Sequence, residues 1–373
     1  MQQNGTQQQN TTTFIFEGSF RTEQPLATCS KDLKDRDGGP GKPIPVPRTW
    51  TPTGPRLMYP STGIRGRWRR SCRDVVRDVV IKATGDPTPF SLDQHYLLTL
   101  GGIKGGGAQD RSTVAMEAHW RAKNPLLSLF GAGDAGVLGF VHGHLSVGNA
   151  VVREAVDAAI FGDGARRDGV YAEKSQLKFL SEDDIRQLIS RAQGGRQRSE
   201  IEKEIKSVEK NIKKAMREGK EDVAGELRQT LSELEARVAN VKTQTGTSDV
   251  SVGMPLSGWQ AIPAGVTMDH RILLVRSNDI ELGLLLCTLN EFATRSPLLG
   301  AHFANGHGLV SGEWTVSQAT ISGCQTIGTV SFQPYEPLAI TNDSGKLSGA
   351  MQAFDAFAAS QNWDFSIPSA VES

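Results

Sequence analysis

The residues with the clearest chemical potential are arginines, concentrated in the stretch PSTGIRGRWRRSCRDVVRDVVI that begins at Pro60. Four of them recur at four-residue spacing, the repeat that places side chains on one face of a helix. They are Arg65, Arg69, Arg73 and Arg77. Like charges at this spacing repel, and cations near a helix N-terminus oppose its dipole. A helix that accepts both costs is typical of one that binds a polyanion. The alternative is a solvated face that pairs with carboxylates.

The same stretch carries a second, apolar face. It comprises Trp68, Cys72, Val75, Val76 and Val79. An apolar stripe of this kind is what a helix buries against a sheet. The turn Ser61-Thr62-Gly63 precedes the helix, and Arg67 and Arg70 flank the basic row near its start. Backbone N–H groups at such a start attract phosphate. The stretch therefore predicts an amphipathic helix with a phosphate-binding N-terminal end.

The composition limits how such a partner can be bound. Lys+Arg and Asp+Glu balance at 41 each, so a nucleic-acid surface has to be a local patch. The four cysteines are scattered, without metal-ligand or disulfide spacing, and no signal-peptide pattern opens the sequence, which indicates a cytoplasmic protein. No apolar run reaches about 18 residues, so no membrane-spanning segment is expected. The 373 residues, 38% of them hydrophobic, allow two or three globular domains.

Other polar clusters offer weaker chemistry. Asp32, Asp35 and Asp37 lie in a Gly/Pro-rich loop, where a mobile polar segment is the simpler interpretation. His142 and His144 share one face of a predicted strand, GVLGFVHGHLSV, but no third ligand has matching spacing, so we interpret them as structural. The loop GGIKGGGAQDRS contains Lys104 without the Gly-Lys-Ser/Thr of a nucleotide-binding loop. The sequence thus predicts no metal, no cofactor and no catalytic residue.

The order of elements defines the expected fold. TFIFEGSF and RLMYP read as strands before the basic helix, Ser91 and Ser112 as caps of two further helices, and residues 347–361 as a last helix. VTMDHRILLV, GLVSGEWTVS and TIGTVSFQPYEPLAI read as strands, with the helix SNDIELGLLLCTLNEFATR after the first of them. This is the β-α-β-β-α-β pattern of an α+β, ferredoxin-like or RRM-like domain.

A helical segment interrupts that pattern. Residues 181–244 are expected to form an insertion that opens with Ser181 and Asp184, breaks at Gly194-Gly195, and reopens with Ser199 and Glu202. Apolar residues then alternate at spacings of four and three on both sides of Gly219-Lys220, which predicts an antiparallel coiled-coil hairpin. The expected domains are a disordered terminus over 1–12, a palm over 13–180 and 245–373, and this insertion.

Four segments in matching order resemble the RAMP superfamily, the RRM-like proteins of class 1 CRISPR systems. YPSTGIRGRWRR is similar to its P-G-S-S-L-R-G segment, and LLSLFGAGDAGVLGF to its Leu-Phe-Gly element. AIPAGVTMDHRILL is similar to its V-P-x-G strand, with Met268 where an aromatic residue is usual, and LLGAHFANGHGLVSG to its C-terminal Gly-x-Gly loop. The order most resembles the seventh Cas family, the backbone subunits, in a type IV form.

The resemblance implies roles for particular residues. A non-catalytic prokaryotic backbone subunit would polymerise along guide RNA (crRNA), beside copies of itself and other CRISPR effector subunits, and present the guide to a target nucleic acid strand. An arm at DVSVGMPLSGW would be the thumb, which wedges into the guide–target duplex; its side chains could otherwise be core anchors. The thumb residues would be Met254, Pro255, Leu256 and Trp259. The RNA-binding residues would be Ser61, Thr62, Gly63, Arg65, Arg67, Arg69, Arg70, Lys104 and His307.

Two other functions are compatible with the sequence. Some relatives in that superfamily cut target RNA with an aspartate in the loop after the first strand, so a metal-dependent endoribonuclease that uses Asp32, Asp35 or Asp37 is one alternative. A structural assembly protein whose basic helix contacts another protein, without nucleic acid, is the second.

Overall fold

The computed structural model describes residues 12–28, 43–102, 113–162, 164–167, 178, 180–217, 220–245, 253–256, 258–360 and 362–366. Internal packing divides the chain into two compact units. The first, called the palm here, comprises Met1–Phe161 and Trp259–Ser373, and the second comprises Gly162–Gly258. Thr12 already belongs to the first strand, so the predicted disorder over 1–12 is wrong at that residue, and residues 1–11 lie outside the described part.

Strands and helices follow one another in runs along the described residues, and the paired strands are antiparallel, as is typical of the α+β class. The strands are β1 Thr12–Thr22, β2 Leu26–Ala27, β3 Arg48–Thr51, β4 Gly54–Tyr59, β5 Leu145–Val147, β6 Ala150–Val152, β7 Ala159–Phe161, β8 Gly164–Arg167, β9 Gly253–Leu256, β10 Trp259–Ile262, β11 Thr267–Ser277, β12 Val310–Thr320, β13 Gly323–Phe332 and β14 Ala339–Thr341. The helices are α1 Ser61–Thr84, α2 Leu92–Leu100, α3 Val114–Lys123, α4 Pro125–Phe130, α5 Glu182–Arg217, α6 Glu221–Thr245, α7 Asp279–Arg295 and α8 Lys346–Ala359.

The main palm sheet has the order β14-β13-β12-β1-β11-β6-β4-β3, and β5 also pairs with β11. Strand β1 is antiparallel to both β11 and β12, and β11 is antiparallel to β5. Helix α1 lies in the connection from β1 to β5, and α7 connects β11 to β12. The central strands therefore follow the ferredoxin-like order, and the predicted α+β, RRM-like fold is confirmed.

The core of the palm lies between this sheet and its helices. Phe14, Phe16 and Phe20 alternate along β1 and are fully buried, as the period-2 pattern predicts. Phe20 meets Trp314 edge-to-face, with ring centroids 5.1 Å apart. The Nε1–H of Trp314 donates to Nδ1 of His270 at 3.2 Å, and burial lowers the pKa of His270 to about 4. His270 is thus a neutral acceptor within an aromatic core.

Helix α1 buries the predicted apolar stripe against that core. Trp68, Cys72 and Val76 are fully buried, while Val75 and Val79 are half-buried. The helix runs three residues beyond the predicted end at Ile81 and stops where Gly85 takes a left-handed conformation (φ 73°), a common helix terminator. The α1 N-terminus is consequently held in a fixed position on the palm.

The second unit combines a helical hairpin with a short ladder. Helices α5 and α6 pack as an antiparallel pair, with Ile201, Ala215, Ala224 and Leu234 buried in their seam. Strands β8 and β9 pair antiparallel. The predicted break at Gly194-Gly195 is wrong, because α5 continues through it. Two glycines cost about 1 kcal/mol each relative to alanine, which the cooperativity of a long helix absorbs.

Two local predictions are wrong in the palm. GVLGFVHGHLSV is mostly a turn: Gly136–Leu138 forms a 3₁₀ helix between glycines of positive φ, and only its last residues enter β5. His142 and His144 therefore do not share a strand face; His144 instead contacts Glu281, Nδ1 to Oε1 at 3.1 Å. The α3 cap is Thr113, which accepts from the Met116 N–H, and Ser112 lies outside the described residues. No helix in the described residues is long and apolar enough to cross a membrane.

Candidate nucleic-acid interface

At the N-terminal end of α1, one backbone N–H has no acceptor in the described part of the chain. Pro60 has no N–H, and the N–H of Ser61 donates to Oδ1 of Asn149 at 2.8 Å. The Gly63 N–H donates to the carbonyl of Pro60. Among the described residues the N–H of Thr62 has no partner, and Thr62 is exposed. The N–H groups beside Thr62 already have acceptors. This helix end therefore offers a phosphate fewer free backbone donors than the sequence predicts.

Arg69 is buried and fully engaged within the palm. Its Nε donates to the carbonyl of Leu98 at 2.8 Å and its Nη2 to that of Leu97 at 2.9 Å. Its Nη1 donates to the carbonyls of Phe130 and Gly131 at 3.2 and 3.0 Å. These carbonyls close α2 and α4, so one guanidinium caps two helix C-termini, where the dipole favours a cation. Burial lowers the pKa of Arg69 to about 10, which keeps it charged at neutral pH.

This arrangement corrects the assignment of Arg69 as an RNA contact. A guanidinium has five N–H donors in a rigid fork, and four hydrogen bonds to buried carbonyls leave it no path to a phosphate. Arg65 is partly engaged in the same way: it donates to the carbonyl of Phe130, and its guanidinium carbon lies 5.7 Å from the centroid of the Phe130 ring. Arg65 remains half-exposed.

Arg67 and Arg70 lie where the α1 N-terminal end meets the loop that follows α7. Nη2 of Arg67 donates to the carbonyl of Ser296 at 3.1 Å, while its buried Nε has no partner. Arg70 is exposed and forms no hydrogen bond or ion pair with any described residue. Burial raises the pKa of Tyr59, whose hydroxyl meets the Gly300 backbone and is near both guanidiniums. Two segments far apart in sequence thus converge beside an unpaired arginine.

The inner arginines of α1 are ion-paired. Arg73 meets Asp74 at 2.7 Å, and Arg77 meets Asp74 and Asp78 at 3.0 Å each. For Arg73 and Arg77, the alternative interpretation of the basic row, a face that pairs with carboxylates, is therefore the one that the structure supports.

His307 and Trp259 belong to an aromatic cluster of the palm. His307 is buried, its Nδ1 lies 2.9 Å from the carbonyl of Asn305, and its Nε2 accepts from Nε1–H of Trp259 at 3.2 Å. The Trp259 ring stacks on His302 with centroids 3.9 Å apart. Both ring nitrogens of His307 are satisfied, so its assignment as an RNA contact is corrected: it supports the loop from within.

Trp259 is likewise removed from the thumb, because it opens β10 in the palm. The other predicted thumb residues, Met254, Pro255 and Leu256, lie on β9 opposite Arg166, Ala165 and Gly164 of β8. The arm is therefore two-stranded, and its second strand comes from a segment that the sequence pattern did not single out.

The exposed face of the palm sheet differs from a base-stacking platform. Along the described residues of β1, β11 and β12, every aromatic ring lies on the buried side. Charges on the open side pair across strands: Glu17 with Arg271 at 3.4 Å, and Arg153 with Asp269 at 2.6 Å. The edge strand β3 presents one exposed ring, Trp50, which is 83% exposed. Sequence reasoning missed Trp50, although it alternates with Arg48 on the same strand face.

Several predicted residues lie outside the described part of the chain. They are Asp32, Asp35, Asp37 and Lys104. Within the described residues, no group of three or more His, Cys, Asp or Glu side chains is arranged to hold a metal ion.

Comparison with known proteins supplements this geometry. No protein-family model matches the sequence, and no curated protein matches it. Among solved structures, the chain is similar to a chain of a Type IV-B CRISPR complex, with a TM-score of 0.39 and 11% sequence identity. That similarity covers 83% of this chain and 91% of the other. A similarity of this size assigns neither family nor function.

Proposed function

We propose that this protein is a non-catalytic, cytoplasmic subunit of a type IV CRISPR effector ribonucleoprotein that binds guide RNA through the α1 N-terminal end. The observation that carries the proposal is the convergence of two segments that resemble RAMP motifs. Arg67 contacts Ser296, and Tyr59 contacts Gly300, which brings YPSTGIRGRWRR against LLGAHFANGHGLVSG. Arg70 and the Thr62 N–H remain open beside this junction, and together they form a donor set suited to a phosphate backbone.

The proposal divides the predicted RNA-binding residues by what they contact. Ser61, Thr62 and Gly63 form the turn, and Arg67 and Arg70 supply charge. A Cβ at Gly63 would lie 2.5 Å from the hydroxyl of Tyr59, so a larger residue there would displace the Tyr59 side chain. Arg65 donates a hydrogen bond to the Phe130 carbonyl. Arg69 and His307 hold the elements around the junction of the two segments in place. Lys104, which lies outside the described residues, remains a proposed contact of the set.

The backbone role extends this proposal to assembly. Copies of the chain would line up along the guide, and the β8–β9 arm, with Met254, Pro255 and Leu256, would wedge into the guide–target duplex at regular intervals. A wedge of this kind unstacks a base step at a cost of a few kcal/mol, offset by protein contacts to the distorted strand. Sequence would be read by base pairing, and the protein would recognise backbone and shape.

The test of RNA binding compares two double variants of the same helix. Arg67→Gln/Arg70→Gln removes two charges that have no carboxylate partner among the described residues, whereas Arg73→Gln/Arg77→Gln removes two ion-paired ones with the same change in net charge. Fluorescence anisotropy with a labelled single-stranded RNA should show that the first pair lowers the slope of log K against log salt by about 1.4, since each lost phosphate contact contributes about 0.7. The second pair should leave the slope unchanged. Equal effects of both pairs would contradict the assigned interface.

Nuclease protection tests the assembly. RNA that co-purifies with the protein should be protected in lengths that are multiples of one repeat, as a filament requires. A single protected length that does not grow with RNA length would contradict polymerisation while leaving RNA binding intact.

A further inference from the structure

The outer face of α5 carries a continuous row of cations. Its members are spaced three, four, three and four residues apart, which keeps them on one helical face over about 21 Å at 1.5 Å per residue. They are Lys203, Lys206, Lys210, Lys213 and Arg217, called the α5 row below. All five are exposed.

The row points away from the hairpin seam. The α5 seam is formed by Ile201, Ile205, Val208, Ile212 and Ala215, which are buried or half-buried. At 100° per residue, the centre of the α5 row lies roughly 160° around the helix from the centre of the seam. The two sets therefore occupy opposite faces: the hairpin buries one and turns the other to solvent.

The α5 row has no counter-charge among the described residues. None of its five members forms an ion pair or hydrogen bond with a described residue, although carboxylates are frequent along the hairpin. Near the start of the helix the pattern differs, because Arg186 pairs with Glu182 at 3.4 Å and Arg198 with Glu202 at 2.8 Å. The like charges of the row lie at the i,i+3 and i,i+4 separations where they repel.

The chemistry of the α5 row favours a nucleic-acid backbone over a protein. Protein interfaces bury apolar and aromatic side chains at their centres and are depleted in lysine. The α5 row contains no apolar or aromatic residue. The outer face of α6 in a second copy would offer three carboxylates to the five cations: Asp222, Glu226 and Glu233. A phosphate backbone instead presents regularly spaced charges along its length.

We propose that the α5 row is a second nucleic-acid contact, which binds a phosphate backbone separately from the α1 N-terminal end. The row belongs to the second unit, so this surface stands whether or not the palm binds guide RNA. Both a single strand and a duplex present this chemistry, and they are distinguished by the probe. Lysine ammonium groups on flexible stems suit a partner read by charge rather than by sequence.

The test neutralises three charges in two places on the full-length protein. Lys206→Gln/Lys210→Gln/Lys213→Gln removes the centre of the α5 row. The matched control, Arg186→Gln/Arg228→Gln/Arg237→Gln, removes three exposed cations elsewhere on the same hairpin. Glutamine preserves helix propensity, and circular dichroism at 222 nm checks that both variants remain helical. The probes are a labelled 20-nucleotide oligo-uridine and a labelled 20-base-pair DNA duplex.

Anisotropy is measured as salt is raised from about 50 to 200 mM, the range over which phosphate contacts dominate affinity. If the α5 row binds, the row variant lowers the log K–log salt slope by about 2 for the single strand, or about 3 for the duplex, and the control does not. The probe whose slope falls by its full expected amount identifies the partner. An unchanged slope for both probes overturns the proposal.

Two further results keep this proposal separable from guide binding. If Arg67→Gln/Arg70→Gln removes all binding and the row variant removes none, guide binding stands and the α5 row is wrong. If the row variant instead weakens self-association without nucleic acid, as measured by sedimentation velocity, the row contacts another copy and the proposal is also wrong.

Discussion

Helices α1 and α5 carry similar rows of cations. Within the described residues, the α1 row has hydrogen-bond and ion-pair partners and the α5 row has none. In α1 the row is made of arginines, packed against the palm, and Arg65, Arg69, Arg73 and Arg77 all have acceptors. In α5 the row is mostly lysine and no member has a described partner. Arginine presents a rigid fork that matches fixed carbonyls and carboxylates, whereas lysine keeps a hydrated point charge. Helical spacing alone shows that charges share a face; the packing around that face decides whether they are available.

The largest effect is expected from removing Arg69, the most fully hydrogen-bonded member of the α1 row. Arg69→Ala should destabilise the palm by about 3 kcal/mol or more, because buried carbonyls of α2 and α4 lose a charged donor. Urea unfolding followed by tryptophan fluorescence measures the change. Arg70→Ala is the control on the same helix and should stay within about 0.5 kcal/mol of the parent. Arg69→Lys should recover only part of the loss, since one ammonium cannot reach all four carbonyls. A loss below about 1 kcal/mol would contradict the capping role.

Acid should destabilise the palm core through His270. The pKa of buried His270 is lowered from 6.5 to about 4, so protons bind the unfolded chain more tightly than the folded one. Its contribution is intact above pH 6.5 and is lost as the pH falls from 6.5 towards 4, by about 3 kcal/mol in total. The hairpin residues 182–245 contain no histidine.

The measurement is the free energy of unfolding of the parent and of His270→Gln between pH 7 and 4. The glutamine carbonyl can still accept from Trp314 but does not titrate in this range. The difference between the two proteins should shrink as the pH falls. A constant difference would show that His270 is not the titrating group.

Arg70 tests the difference between the two kinds of arginine by RNA affinity instead of stability. Arg70→Gln alone should weaken RNA binding about threefold to tenfold and reduce the salt slope by about 0.7, because one phosphate contact is lost. Its stability should be unchanged, unlike that of Arg69→Ala. Anisotropy and urea unfolding on the same preparation separate these effects, and a variant that lost stability as well as affinity would place Arg70 in the same class as Arg69.

Removing the hairpin is expected to affect the stability of the palm little and nucleic-acid binding more. Replacing residues 181–245 with a short Gly/Ser linker should change the unfolding midpoint of the palm little, because α5 and α6 bury their seam against each other. Near-ultraviolet circular dichroism should keep the palm tryptophan signal, and the salt slope for nucleic acid should fall by the amount assigned to the α5 row. Loss of cooperative unfolding would show that the hairpin contributes to the palm core.

Much of the fold follows from local patterns. The alternation in β1, the apolar stripe of α1 and the capping box of Asn278 with Glu281 at the start of α7 are all visible in the sequence. The secondary-structure predictions are wrong at segments whose backbone conformation depends on glycine. Gly136 and Gly139 adopt positive φ and turn a strand-like run into a 3₁₀ turn, while Gly194 and its neighbour stay helical. Nothing local distinguishes these outcomes.

The candidate site was less predictable than the fold. A row of arginines on one helix shows where charge is placed, but the acceptors of Arg69 lie on α2 and α4, which only tertiary packing brings together. The assignments of His307 and Trp259 were wrong for the same reason, because tertiary packing brings their side chains together and Trp259 donates a hydrogen bond to His307. The open donors at Thr62 and Arg70 emerge only after every engaged group has been identified.

The central position of β1 has a consequence for synthesis of the chain. Among the described residues, this strand, with its buried phenylalanines, pairs only with β11 and β12, which begin at Thr267 and Val310. At roughly 5–20 residues per second, about 12 to 50 seconds pass before β11 follows it from the ribosome. The helical hairpin can form from local contacts during that interval. Nascent β1 should therefore be a chaperone client, and crosslinking to arrested chains should detect this before residue 267 and not after residue 320 has emerged.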